Sequence, residues 1–183
     1  MKDLLFGAAD QLSWSQIKPW AQSIRDSGFD GDVLLLVYRG DLTEIAQQAS
    51  KFDISVWTTD VDMWAKPINH NARGRDTQSH QMRFWHLVEL LDDEEIKRYR
   101  YIICTDVRDV IFQRNPSEFL RGRFLDFNSP SGIMAPSEGI QYCNEPWGAD
   151  NLQKGFGPYM WERAQNYEIF NVGTIAGSAR AIR

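Results

Sequence analysis

The amino-acid sequence predicts an α/β fold, a Rossmann-like and mostly parallel sheet flanked by helices. Three observations predict it. Short apolar segments alternate with segments of helical spacing along the first third of the chain. The segment Asp32-Val-Leu-Leu-Leu-Val-Tyr38 is apolar at successive positions, as a parallel strand covered by helices on both faces must be. The 183 residues are 43% apolar and 25% charged, the balance of a packed domain with one core and not of a disordered chain. A single domain over 1–183 is therefore expected.

Each element follows in order. Leu4 to Ala9 is a short strand stopped by Asp10, and Ser13 or Ser15 caps a helix whose apolar face is Trp14, Ile17, Ala21 and Ile24. With Ser15 as the cap, Pro19 falls in the first turn or so, where a missing N–H costs little. Asp30-Gly31 turns the chain into the strand Asp32 to Tyr38, and a helix from Thr43 to Phe52 precedes a third strand, Ile54 to Thr59. From Asp60 to Gln78 the periodicity lapses and an exposed loop is expected. Helical spacing resumes with Phe84, Leu87, Val88 and Leu91, and the acidic run Asp92 to Glu95 belongs on a solvated turn or helix end. The strand Tyr101 to Cys104 then delivers Thr105-Asp-Val-Arg-Asp109 at its carboxyl end, where open α/β sheets bind ligands. Beyond it come a short strand, Ile133 to Ala135, an irregular segment from Glu138 to Asp150, a helix near Leu152 to Gln165, and a last apolar segment, Ile169 to Ala176. Ser178 is a good N-cap, yet the five residues after it form a helix too short to bury much alone, so the fold is expected to continue past Arg183.

Charge and composition exclude several classes. A net charge of −5, from 20 Lys and Arg against 25 Asp and Glu, opposes bulk binding to nucleic acid or an anionic membrane. No apolar run approaches the roughly 20 residues of a membrane span, so no transmembrane segment is expected. Cys104 and Cys143 lie far apart without a C-x-x-C pattern, which points to neither a disulfide scaffold nor a zinc site and suits a reducing, cytoplasmic setting. There is no G-x-G-x-x-G or P-loop glycine pattern, and His70, His80 and His86 lack H-E-x-x-H spacing. No serine sits in a G-x-S-x-G elbow.

The sharpest chemical feature is the acidic turn Asp106-Val-Arg-Asp109. Two carboxylates at a strand end suit a hard divalent cation, Mn²⁺ or Mg²⁺, whose remaining sites water and substrate phosphates fill. The alternative is structural, with Asp109 paired to Arg108 or Arg114 and Asp106 capping a turn. Lys66, Arg73, Arg75 and Arg83 face the single acid Asp76 in their stretch, a local excess of cations suited to phosphate. Arg83 is expected near a helix start, where helix dipole and guanidinium act together on a diphosphate; Arg73 and Arg75 equally suit a solvated loop. At the first strand end, small residues let a flat base approach the backbone at Ala8, and Asp10 offers it an acceptor; a plain βα turn is the alternative. Trp147, in Glu145-Pro-Trp-Gly-Ala149, is the candidate ligand-facing aromatic, with packing as its alternative.

In its order of features the chain resembles the nucleotide-sugar glycosyltransferases of the GT-A fold, with something of the glycogenin-like retaining type. Four short motifs carry the resemblance over nearly the whole length: Ala8-Ala9-Asp10, Arg83-Phe84, the acidic turn after Thr105, and Phe170-Asn-Val-Gly-Thr174. The resemblance implies a metal-dependent transfer of sugar from a nucleotide-sugar donor, a UDP-sugar, to a carbohydrate or glycan acceptor. It sets Ala8 and Asp10 by the base, Arg83 by ribose or phosphates, Asp106 and Asp109 on Mn²⁺ or Mg²⁺, and Asn171 with Gly173 beside the sugar. One departure is plain: the family's D-x-D is here D-x-x-D, with Val107 where the first Asp would align with Asp109. The family's C-terminal part, which often brings a further metal ligand, does not follow Arg183 in this sequence. Two other readings are a non-catalytic α/β nucleotide-binding or regulatory module and a sugar-phosphate nucleotidylyltransferase. Ala-Ala-Asp-Gln-Leu-Ser lacks the Gly-rich, Arg-containing loop of the latter, and Ile169 to Ala176 lacks the lysine expected of a receiver-like module.

Overall fold

The computed structural model describes residues 1–59, 76–91, 96–123 and 132–182. Its strands are β1 (Lys2–Ala9), β2 (Asp32–Val37), β3 (Ile54–Thr58), β4 (Tyr99–Asp106), β5 (Ile133–Met134), β6 (Ser137–Gln141), β7 (Glu168–Phe170) and β8 (Thr174–Ser178). Its helices are α1 (Trp14–Asp26), α2 (Leu42–Ala49), α3 (Asp76–Leu90), α4 (Pro116–Arg121), α5 (Pro146–Ala164) and α6 (Ala179–Ile182). The chain divides into two compact units, Met1–Met134 with Gly173–Arg183, and Ala135–Val172.

The larger unit is the Rossmann-like sheet that the sequence predicts, in the order β3-β2-β1-β4-β8-β5. Strands β1 to β4 are mutually parallel, and β8 runs against both of its neighbours. Alternation of side chains sorts the apolar residues onto two faces. Leu5, Ala9, Val33, Leu35, Val37, Ile103 and Val107 join Trp14, Ile17, Trp20 and Ile24 of α1 and Ile45 of α2 in one core. Leu4, Phe6, Leu36, Tyr38, Ile102 and Cys104 join Leu87 of α3 and Ala179 of α6 in the other. The two-sided burial of β2 is thus met by a helical layer on each face. Burial pushes the Cys104 thiol up to about 12, so it is an inert core residue.

Several boundaries differ from the sequence reading. Ser13, not Ser15, caps α1, and its backbone N–H donates to the Gln16 side chain at 3.0 Å. Pro19 therefore lies in the second turn and removes one intrahelical bond. The helix expected to reach Phe52 ends at Ala49 and tightens into a 3-10 turn, Ser50–Phe52. Of the expected loop, Asp60 to Arg75 lies outside the described residues, together with Lys66, Arg73 and Arg75, as does the acidic run Asp92 to Glu95. Asp76 to Gln78 is helical, so α3 begins earlier than the apolar spacing implied.

In the smaller unit, β6, which overlaps the segment expected to be irregular, forms an antiparallel pair with β7. The helix α5 starts at Pro146, capped by Glu145, whose carboxylate accepts from the Trp147 and Gly148 N–H groups. It is two helical pieces meeting at Gly157, whose φ of 79° favours glycine and precedes Pro158. Trp147 is 76% exposed, which removes the packing reading for it. The segment Ile169 to Ala176 is split: β7 pairs with β6, and β8 pairs with β4 and β5 in the main sheet. Ser178 closes β8 and caps α6, its hydroxyl accepting from the Ala181 N–H at 3.2 Å. Among the described residues, no helix is long and apolar enough to cross a membrane.

Candidate functional site

A cleft of about 500 Å³ opens at the carboxyl ends of β1 and β4, where the strand order reverses. Such switch points are where open α/β sheets take ligands. Ala8, Asp10, Arg83, Asp106 and Asp109 all line it, so five of the residues singled out from sequence converge on one cavity.

Its floor is tightly packed. Gly7 pairs with Thr105 across β1 and β4, and a Cβ at Gly7 would lie 2.6 Å from Val107 Cγ2 and 2.7 Å from the Trp20 ring. The Trp20 indole N–H donates to Thr105 Oγ1 at 2.9 Å beneath the cleft. The end of β4 at Asp106 then places the acidic turn. Ala8 and Asp106 are register partners in the cleft lining, and Val107, the residue after β4, touches the cleft too but is buried in the core on the α1 face. Val107 therefore fills the core, and the carboxylates that the acidic turn brings to the cleft are Asp106 and Asp109.

Arg83 Nη1 donates to Asp106 Oδ1, so Asp106 is paired with a helical arginine. The Arg83 side chain is 4% exposed and that of Asp106 is 31% exposed, so the cation lies inside and the acid faces the cleft. Arg83 is not at a helix start: α3 begins at Asp76, two turns earlier, and the proposed cooperation with the helix dipole falls away. Asp109 and Arg108 are exposed on the rim.

Asp10 is held from the side. Arg39, at the end of β2, donates through Nε to Oδ1 at 2.6 Å and through Nη2 to Oδ2 at 2.5 Å. Burial alone would raise the Asp10 pKa, but hydrogen bonds from Arg39 and Ser79 outweigh it and hold the carboxyl below its ordinary value. Tyr38 also lines the cleft, its hydroxyl 2.9 Å from His86 Nδ1. Burial shifts the Tyr38 pKa up and the His86 pKa down, leaving both neutral near pH 7.

Arg39, Tyr38, Ser79 and His80 were not singled out from sequence. A signal existed for the first two, because Tyr38-Arg39 ends the strand beside β1 and strand ends are where ligands sit. Ser79 and His80 had none, since the early start of α3 was illegible. Gly173 belongs to the same unit as the cleft, and its carbonyl accepts from the Asp106 N–H at 2.7 Å. Asn171 belongs to the smaller unit, where its Nδ2 donates to Glu138 Oε1 at 3.0 Å. Trp147 also lies in that unit.

Among the described residues, no group of three or more His, Cys, Asp or Glu side chains comes together. Of the three carboxylates that line the cleft, Asp10 is held by Arg39, and Asp106 and Asp109 are the remaining hard oxygen donors; Mg²⁺ or Mn²⁺ takes its other ligands from water and phosphate. The donor set therefore fits a cation that arrives with a diphosphate, and does not fit an all-protein cage.

No protein-family model matches the chain, and no curated protein matches it in sequence. Solved structures do. The galactosyltransferase LgtC in complex with donor and acceptor sugar analogues superposes with a TM-score of 0.62 at 13% identity, covering 97% of this chain and 58% of that one. The LgtC active-site mutant Q189E gives 0.63 at 14% identity over the same shares. A looser match is the glucosyl-3-phosphoglycerate synthase from Mycobacterium tuberculosis, at a TM-score of 0.49 and 13% identity over 97% of this chain and 56% of that chain. The architecture is that of GT-A glycosyltransferases, and the chain spans somewhat over half the length of LgtC.

Proposed function

We propose that the chain forms the donor-binding part of a glycosyltransferase that moves a sugar from a UDP-sugar to a carbohydrate or glycan acceptor with Mn²⁺ or Mg²⁺. The observation that carries this reading is the convergence of Asp10, Arg83, Asp106 and Asp109 on one cleft at the switch point of a GT-A-type sheet. Asp106 and Asp109 would hold the cation, which when bound supplies positive charge against the diphosphate. Arg83, buried and aimed at the cleft through Asp106, adds a fixed cation beside the phosphates and favours charge growing on the departing nucleoside diphosphate. Asp10 and the open backbone at Ala8 orient the base. The tight floor at Gly7, Trp20 and Thr105 keeps the β1 and β4 ends in register, so the groups that meet base and diphosphate keep their spacing. Gly173, whose carbonyl anchors the Asp106 backbone, stands beside the sugar in this reading. The retaining, glycogenin-like character rests on the motif order alone.

Titration calorimetry tests it. UDP should bind in the presence of Mn²⁺ and bind at least about tenfold more weakly without it, a difference of about 1.4 kcal/mol. Asp109→Ala should erase that metal dependence while the exposed position leaves stability within about 0.5 kcal/mol. UDP binding that is indifferent to both Mn²⁺ and Asp109 would sink the assignment.

A further inference from the structure

The turn after β1 is stapled to the end of β2 more thoroughly than chain reversal requires. The Gln11 N–H donates to the Arg39 carbonyl at 2.9 Å, and Tyr38 N–H donates to the Ala9 carbonyl at 3.0 Å. Gln11 itself adopts a φ of 56°, a left-handed conformation that a side chain takes only when its surroundings hold it there. With its amide oxygen turned to the guanidinium, Gln11 accepts from Arg39 Nη1 at 2.9 Å and Nη2 at 3.0 Å. The same guanidinium grips both oxygens of Asp10, so one planar group fixes both residues of the turn.

A carboxylate offers about four acceptor directions. Arg39 fills one on each oxygen, and Ser79 fills another. About one direction is left for a ligand in the cleft that Asp10 lines. An acceptor held ionised in this way rewards a ring N–H and is repelled by a ring nitrogen lone pair. Uracil carries N3–H where cytosine carries a bare N3, and the two nucleotides otherwise differ only at C4.

We infer that Arg39 is a specificity-determining positioning residue: by forking Asp10 into a fixed acceptor, it makes the cleft select a nucleoside diphosphate whose base presents a ring N–H. The inference rests on the donor-binding reading above and adds to it a residue that reads the base through another. Without the fork, Asp10 turns freely and takes up a proton more readily, and a protonated carboxyl donates to cytosine N3 as well as it accepts from uracil.

Titration calorimetry with UDP and CDP, each with Mn²⁺, tests the inference on the unaltered chain, Arg39→Met, Arg39→Lys and Asp10→Asn. The unaltered chain should prefer UDP by about tenfold or more, the size of one hydrogen bond to a charged group. Arg39→Met and Asp10→Asn should bring the two affinities to within about threefold of each other. Arg39→Lys, which keeps the charge and loses the fork, should fall between. The ratio is the deciding readout, because damage to the fold weakens both nucleotides alike. An unchanged UDP-to-CDP ratio in Arg39→Met and Arg39→Lys, with UDP still bound, overturns the role of Arg39 and leaves the donor reading standing. Failure of the unaltered chain to bind either nucleotide overturns both. Should Arg39→Met not fold, Arg39→Lys and Asp10→Asn carry the same comparison.

Discussion

The ends of β1 and β4 lie side by side and each presents an aspartate paired to an arginine, yet the two pairs are inverted. At β1 the acid is the sheltered partner: the Asp10 side chain is 16% exposed and Arg39 34%. At β4 the base is sheltered: Arg83 is 4% exposed and Asp106 31%. The first arrangement fixes a carboxylate in place, with both oxygens gripped by a fork. The second turns a carboxylate outward over a buried cation, with Arg83 Nη1 donating to Asp106 Oδ1. A fixed acceptor reads hydrogen-bond donors, whereas an outward carboxylate is available to a metal. In the function proposed above, one cleft would separate recognition from charge neutralisation along two neighbouring strands.

The inversion has unequal consequences for stability, and the largest should come from the β4 end. Asp106→Ala takes the carboxylate from a guanidinium that cannot return to water, and the expected loss is about 2–4 kcal/mol in urea unfolding. Asp10→Asn frees an arginine that is already one-third exposed, so the loss should be about 1 kcal/mol or less. Equal losses at the two sites would break the contrast. Next in size is Gly7→Ala on the floor between them, where the added methyl meets Val107 and Trp20; overpacking of this kind costs about 1–3 kcal/mol. A melting temperature unmoved by that substitution would mean the floor has slack, and with it the spacing of the two ends.

The smallest effect is in pH. The Asp10 pKa is depressed in the folded state, so its contribution is full above its ordinary 3.8 and is lost as pH falls through the lower folded value. His86 is held neutral by burial with its pKa below the usual 6.5, so the unfolded chain binds the extra proton and stability declines as pH drops from 6.5. Urea midpoints between pH 7 and pH 3 should show two successive declines. Asp10→Asn should flatten the lower one and leave the upper unchanged; the reverse result would assign the acid sensitivity to other groups.

Much of the sheet was legible because its signal is local. Strands β1 to β4 are apolar runs bounded by turn residues, and a run apolar at every position, like Val33 to Val37, announces burial on two faces. The break within Ile169 to Ala176 was not legible: nothing in its composition marks that Ile169 belongs to one sheet and Ala176 to another. Sheet membership is set by the partner strand, and the partner is not in the local sequence. The start of α3 was hidden for a related reason, since Asp76 to His80 lacks the apolar spacing by which a helix is recognised. The error propagated to Arg83, whose role shifted from helix-end donor to buried partner of Asp106.

The same division holds for the site. Sequence alone determined which residue types end the strands, hence that carboxylates and small residues stand where a Rossmann-like sheet takes its ligand. Only the tertiary structure decided that Arg39 forks Asp10 across 29 positions and that Arg83 meets Asp106 across 23. Those pairings follow from the parallel register of β1 with β2 and from the packing of α3 over the sheet, long-range choices that no local pattern encodes.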